Sequence, residues 1–160
     1  GDAFGATTHI SLFLDALREK VKAEIIHGSS IFSAIAETGL SLYRFGAVAS
    51  IPKENAKIMT TFEILQRNLQ CKYHTLFLLD TEKKMSVSEG IQYLVKQGMK
   101  EEQLCVGCWQ LGGKQEIKAG TAKELMKVNI KKYPQCFIVP AKQLHFMEEE
   151  ALENYIVYKN

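Results

Sequence analysis

Two short stretches carry the residue types that can hold a small ligand. Gly1-Asp2-Ala3-Phe4-Gly5-Ala6-Thr7-Thr8-His9 places two glycines, a carboxylate and two threonines ahead of an amphipathic segment. Glycine permits positive φ and lets a ligand approach the main chain closely. Thr7 or Thr8 can cap the helix that follows, and the free N–H groups there suit an acidic or polar ligand atom. Gly28-Ser29-Ser30 repeats the arrangement, with Ser29 or Ser30 placed to cap a second, shorter helix. His9 and His27 stand beside these two turns and can face a ligand. Loops of this composition more often only turn the chain, so the pattern alone names no ligand.

Other candidate chemistry is weaker. Cys105-x-x-Cys108 has the spacing of a redox or zinc pair, but that chemistry needs both sulfurs to converge at a turn or helix start. Here Val106 and Trp109 put the pair inside an expected strand, where residues three apart point to opposite faces. None of His9, His27, His74 and His145 has the i, i+4 partner of a helical metal site. His74 opens an apolar strand and reads as structural. No nucleophilic triad signature or phosphate-binding Walker loop is present. Glu148-Glu149-Glu150 reads as a solvated first helical turn.

The elements that must position these residues alternate between helix and strand. Ile10, Phe13, Leu14, Leu17 and Val21 share one face of a helix over 10–21. Ile25 and Ile26 predict a short strand over 22–27, and a helix follows over 31–37. A strand over 47–51 stops at Pro52, and a helix over 55–69 puts Ile58, Phe62 and Leu65 on one side. His74-Thr75-Leu76-Phe77-Leu78-Leu79 is a nearly continuous apolar run, as in a strand covered on both faces of a parallel or mixed sheet. Ser86 and Glu89 have capping-box spacing for a helix to Gln97, stopped by Gly98. Strands over 104–111 and 136–139, a hairpin partner over 115–119, a short helix over 121–128 and a last helix over 146–158 complete the chain. In the last helix Met147, Ala151, Tyr155 and Tyr158 share a face. The class is α/β, with a modest boundary near residues 40–45.

Composition sets limits. The net charge of +2 over 160 residues is too small to argue for nucleic acid. No apolar run is long enough to span a membrane. Cys71, Cys105, Cys108 and Cys136 sit in apolar segments, which favours a reducing, cytoplasmic setting over a disulfide framework.

Taken together, the motifs resemble the diphthine synthase family of tetrapyrrole-methylase-like methyltransferases. Residues 1–9 are similar to that family's GDPxxATTH loop. Ile25-Ile26-His27-Gly28-Ser29-Ser30-Ile31 is similar to its Val-Ile-His-x-x-Ser-Ile. Gly39-Leu40-Ser41-Leu42-Tyr43-Arg44-Phe45-Gly46 is similar to its Gly-Leu-x-x-Tyr-x-Phe-Gly. The likeness continues in order through His74–Asp80, Met85-Ser86-Val87, Leu104–Gly107, Ala119-Gly120-Thr121 and Ile138-Val139-Pro140 to Leu144-His145.

The resemblance implies two α/β domains with S-adenosylmethionine between them, in a homodimer. Residues 1–42 then correspond to the second half of the N-terminal cofactor domain and 43–160 to the C-terminal domain. The first domain is expected to be incomplete, lacking the family's opening strand, and to leave a sheet edge open. The family's cofactor contacts fall on Asp2, Gly5, Ser30, Ile31, Leu79, Leu111 and Gln135. The implied reaction is repeated methyl transfer to the amine of a modified histidine on translation elongation factor 2, a step of diphthamide synthesis, with S-adenosylhomocysteine as product. It implies no metal, nucleic acid or membrane partner and designates no general base.

The chain departs from the family pattern at Ala3, where the loop has proline, at Trp109-Gln110-Leu111-Gly112, where it has Ala-Arg-Val-Gly, and at Gln135, where it has histidine. Two other readings remain beside the methyltransferase. One is a degenerate module that binds elongation factor 2 without methylating it. The other is a related methyltransferase acting on a tetrapyrrole. Cofactor binding separates the first, and an acceptor assay the second.

Overall fold

The computed structural model describes residues 2–5, 9–53 and 59–157. The expected roles of Thr7 and Thr8 as caps, of Ile58 on its helix face and of Tyr158 on the last helix lie outside the described residues. The elements are α1 (His9–Arg18), α2 (Ile31–Ala34) running into a 3-10 turn (Ile35–Thr38), a second 3-10 turn (Leu42–Arg44), β1 (Ala49–Ile51), α3 (Thr60–Gln70), β2 (Thr75–Leu79), α4 (Val87–Lys96), β3 (Leu104–Trp109), β4 (Glu116–Thr121), α5 (Ala122–Leu125), β5 (Gln135–Val139) and α6 (Phe146–Glu153).

The five strands form one mixed sheet in the order β1-β2-β5-β3-β4. β1 runs parallel to β2, and β5 is antiparallel to both β2 and β3. β1, β2 and β3 therefore point the same way, and their carboxyl ends share an edge with the start of β5. The apolar run of β2 is explained by burial on both sides. Phe77 and Leu79 join Cys105, Trp109, Phe137 and Val139 under α3, α4 and α5. Leu76 joins Val106, Cys108, Cys136 and Ile138 on the other face, with Ile35, Leu40 and Leu152 from the 31–40 segment and α6. Phe77 and Phe137 are cross-strand partners with rings stacked 4.8 Å apart. Each fully buried ring of this kind contributes roughly 1.5–3 kcal/mol.

Local signals were accurate where the chain punctuates itself. Ser86 and Glu89 form the expected capping box, and Gly98 follows α4 at φ 114°. β3 and β4 pair as the expected hairpin. Cys105 and Cys108 face opposite sides of the sheet, so their sulfurs do not converge.

Four expectations need correction. Residues 22–27 form no strand and find no sheet partner among the described residues; β-branched side chains favour a strand only where a neighbour completes it. The apolar stripe of α1 faces outward, with Ile10, Leu14, Leu17 and Val21 exposed. Its Phe13 meets Phe4 edge-on at 5.9 Å. Cys71 is exposed at the end of α3, unlike the other three cysteines, and all four are free. On α6, Met147 is exposed, and the buried positions are Glu148 and Leu152.

Glu148 is therefore no solvated carboxylate: it is 3% exposed. Its Oε1 accepts from Ser41 N–H at 3.0 Å and from His74 Nε2 at 3.0 Å. Its Oε2 accepts from Arg44 and from His145 N–H, the latter at 2.9 Å. Ala141 N–H donates to His74 Nδ1 at 3.0 Å, which leaves the ring proton on Nε2, facing the carboxylate. Arg44 also reaches the carbonyl of Gln143 at 2.6 Å. One carboxylate thus ties the 41–44 turn, the start of β2 and the start of α6 together. No buried side-chain polar atom among the described residues lacks a partner.

The titration of this cluster has a definite sign. Burial holds His74 below the usual histidine range, against the opposing pull of Glu148. Burial pushes Glu148 up, but the N–H groups of His145 and Ser41 and the His74 ring outweigh it, so its carboxyl ends below the usual range. Both groups bind protons less readily folded than unfolded. Their contribution is full above about pH 6.5 and falls as acid protonates first the unfolded histidine and then the glutamate. Glu148→Ala should cost about 3 kcal/mol of unfolding free energy at pH 7, because it strands a buried His and Arg. It should also remove the loss of stability below about pH 4.5, where the carboxylate itself would titrate, while the loss that begins near pH 6.5 persists, because burial still lowers His74 without Glu148. Urea denaturation across both ranges checks these outcomes.

Candidate functional site

A cavity of about 340 Å³ opens where β2 and β3 end and β5 begins. This is the edge at which open α/β sheets hold ligands, and the volume is in the range of small-molecule sites. Its walls come from four places. Ile31 enters from the first turn of α2, Leu78, Leu79 and Thr81 from the end of β2, Cys108 and Leu111 from β3 and the turn after it, and Pro134, Gln135 and Cys136 from the start of β5. The lining is mainly apolar, so it suits a ring or thioether body more than a naked charge.

The local sequence explains each wall. Ser30, in extended conformation, caps α2 by accepting from Phe32 N–H, which fixes Ile31 as the first helical residue. Gln110 adopts φ 53° and donates its N–H to Pro134 O at 2.8 Å, turning the chain after β3 so that Leu111 folds over the cavity. Cys108 and Cys136 are cross-strand partners on the cavity floor. Contact with Cys136 and burial together raise the Cys108 thiol well above its ordinary range. It is a protonated, apolar wall and not a nucleophile at neutral pH.

Gln135 has a second task. Its Oε1 accepts from Val87 N–H at 2.8 Å, and its Nε2 donates to Ile130 O at 2.8 Å. The amide therefore braces the start of α4 and the loop before β5.

Asp2, Gly5 and Ser30 form a neighbouring cluster. Asp2 Oδ1 accepts from Phe4 N–H at 2.8 Å, and its Oδ2 accepts from Gly28 N–H at 3.1 Å and lies 2.8 Å from His27 Nδ1. The bond to His27, followed by those to Phe4 and Gly28, lowers the Asp2 carboxyl from its ordinary range. One carboxylate thus holds the first glycine loop against the second. Gly5 packs where a Cβ would come within 2.8 Å of Ser30 Oγ and 3.4 Å of Asp2 Cβ, so a side chain there would push the two loops apart.

The structure thus brings Ile31, Leu79, Leu111 and Gln135 to one cavity. It gathers Asp2, Gly5 and Ser30 beside them, joined to the cavity through the Ser30–Ile31 bond. Sequence reasoning missed Leu78, Thr81, Cys108, Pro134 and Cys136. Pairing of β5 between β2 and β3 carries the last two there, and no local pattern in the chain announces it. Among the described residues no group of three or more His, Cys, Asp or Glu can hold a metal ion. None of the described helices is long and apolar enough to cross a membrane.

Comparison with known proteins follows this geometry. No protein-family model matches the chain. It is 37% identical over 167 residues to the diphthine synthase of Methanosphaera stadtmanae, covering 95% of this chain and 63% of that protein. It is 37% identical over 169 residues to the diphthine synthase of Methanocaldococcus jannaschii, covering 96% and 65%. The chain thus spans 63–65% of the length of these relatives. A crystal structure of diphthine synthase superposes with a TM-score of 0.91 at 33% identity, over 98% of this chain and 63% of that one. A crystal structure of an Entamoeba histolytica protein assigned as a diphthine synthase gives a TM-score of 0.91 at 29% identity, over 100% and 69%.

The bracing role of Gln135 is open to a direct check. Gln135→Leu orphans Val87 N–H and Ile130 C=O and should lower the unfolding free energy by about 2 kcal/mol. Chemical denaturation of the two proteins measures the difference.

Proposed function

We propose that this chain belongs to the diphthine synthase family over the length it covers and serves an S-adenosylmethionine-dependent methyltransferase of diphthamide biosynthesis. The acceptor is the amine of the modified histidine on translation elongation factor 2. The observation that carries the reading is the convergence of Ile31, Leu79, Leu111 and Gln135 on one cavity, although they lie on four separate elements. The same residues are the family's cofactor contacts by resemblance, and the family's fold is the one the chain adopts.

The residues fit the group. Ile31, Leu79 and Leu111 offer an apolar slot for an adenine ring and a thioether-like body. The Asp2 loop, which directs backbone toward Ser30, offers polar atoms for the ribose or amino-acid end. Carboxylates accept more bonds than the three Asp2 already has within the protein. S-adenosylmethionine, when bound, supplies a methyl group already activated on a sulfonium. The protein's own work is then alignment and water exclusion, which well-fixed apolar walls perform. No side chain is assigned as general base. Gln135 enters as a supporting residue that lines the cavity while its amide is engaged by Val87 and Ile130.

The wider reading follows the family. Residues 1–42 belong to a cofactor domain of which this chain carries a part, and 43–160 form the second domain. The outward apolar stripe of α1 supports this, since Ile10, Leu14 and Leu17 need cover. The working protein is a homodimer in the cytoplasm.

Calorimetric titration tests the cofactor assignment. S-adenosylmethionine and S-adenosylhomocysteine should each bind saturably at one site per chain, and Leu111→Asp should weaken both by roughly tenfold or more, because it sets a charge in the apolar slot. Label from the cofactor methyl should appear on elongation factor 2 carrying the modified histidine. Binding without transfer would favour the non-catalytic module, and transfer to a tetrapyrrole would favour the other methyltransferase class. Absence of binding would overturn the assignment.

A further inference from the structure

The cavity has walls of two kinds. Leu79, Gln135 and Cys136 belong to β2 and β5, which are locked in the sheet. Ile31 and Leu111 do not: one stands at the start of α2, and the other in the turn after β3. What fixes the spacing of these two outer walls is a separate matter from the sheet.

The turn at 110–115 is held at its near end by the bond from Gln110 N–H to Pro134 O, and closed on itself by Gly113 N–H to Gln110 O at 3.1 Å. At its far end Gly112 N–H donates to Gln115 Oε1 at 3.0 Å. That bond orients the Gln115 amide, and its Nε2 then donates to Glu37 Oε2. Glu37 sits on the 3-10 turn that continues α2, and Tyr155 Oη donates to its carbonyl at 3.0 Å. Among the described residues, Gln115–Glu37 is the one side-chain hydrogen bond that joins the two outer walls. Neither residue lines the cavity.

We propose that the Gln115–Glu37 hydrogen bond is a brace across the rim of the cavity, which sets the separation of Ile31 and Leu111 and so the affinity for the cofactor. Gln115 and Glu37 are positioning residues and touch no ligand. The proposal rests on the cofactor reading of this cavity. The chemistry of the pair is specific: one amide N–H donor faces one carboxylate, and the amide oxygen is already committed to Gly112. A second carboxylate at position 115 would keep the bond to Gly112 but repel Glu37. Reversing the pair would restore a donor facing an acceptor.

The test is a set of four proteins: the unsubstituted protein, Gln115→Ala, Gln115→Glu, and Gln115→Glu combined with Glu37→Gln. Two readouts are taken on each, the dissociation constant for S-adenosylmethionine and the hydrogen exchange of the amides at 110–115. A solvent-facing, charge-assisted bond shifts affinity by a modest factor, so Gln115→Ala should weaken binding about threefold and Gln115→Glu about tenfold. The reversed pair should return to within about twofold of the starting affinity. Exchange at 110–115 should quicken in both single variants and slow again in the reversed pair. Added salt should lessen the Gln115→Glu defect by screening the two carboxylates.

Unchanged affinity and exchange in Gln115→Glu would overturn the brace. So would a reversed pair that fails to recover either property, since a merely structural loss at position 115 has no reason to be repaired at 37. If the unsubstituted protein binds no S-adenosylmethionine, the cofactor reading falls. The exchange readout then decides by itself whether the brace exists.

Discussion

A carboxylate removed from water must find enough donors to replace what it lost, and Glu148 meets that demand with four residues from three parts of the chain. Ser41, Arg44, His74 and His145 all point at its two oxygens. A buried ion pair is weak evidence for net stability, because its attraction mainly offsets desolvation. Its effect is better understood as selection. A partly assembled version of this cluster leaves a charge stranded, so the 41–44 turn, the start of β2 and the start of α6 are compatible in one arrangement only. Leu40 and Leu152 lie in the same apolar layer, next to that arrangement. The wall that carries Ile31 descends from the same segment. The geometry at the cavity is in this sense inherited from a charge placed well away from it.

The sheet supplies the other constraint. With β5 between β2 and β3, every residue of β5 is buried. Alternate side chains then serve two separate cores, and Cys105 and Cys108 are divided between them for that reason alone. The edges are handled differently. Beside β4, Ala119 exchanges backbone bonds with Tyr155 and Val157, so the chain after α6 covers part of that edge. At β1, Asn68 holds Ala47 through both its N–H and its carbonyl and also reaches Thr75.

What could be read from the sequence follows from which forces are local. The capping box at Ser86 and Glu89, the hairpin of β3 and β4 and the buried β2 run depend on residues within a few positions of one another. All three were visible in the chain. Residues 22–27 were misjudged because β-propensity describes a fit to a neighbouring strand, and none of the described strands lies there. The role of Glu148 was invisible, since nothing near it in sequence announces that Arg44 and His74 will arrive. At the cavity, Ile31, Leu79, Leu111 and Gln135 were reached through colinear motifs shared with a family. Composition and periodicity alone would not have joined them. Cys136 and Pro134 were missed for the converse reason: their place depends on strand order, which no motif encodes. Gln135 was identified, but the engagement of its amide with Val87 and Ile130 could come only from three-dimensional packing.

The strand order also bears on how the chain comes to be folded. Of the five described strands β5 comes last in the chain, yet it lies in the middle of the sheet. Before it arrives, β1 with β2 and β3 with β4 are two separate half-sheets, each with an unpaired inner edge. Closing them requires contacts between segments far apart in sequence, which slows assembly and prolongs the exposure of those edges. A nascent chain that has emerged only as far as residue 130 therefore presents two unpaired half-sheets in place of one closed sheet. For this chain the decisive event of biogenesis is the arrival of Gln135–Val139, which completes the sheet and the floor of the cavity together.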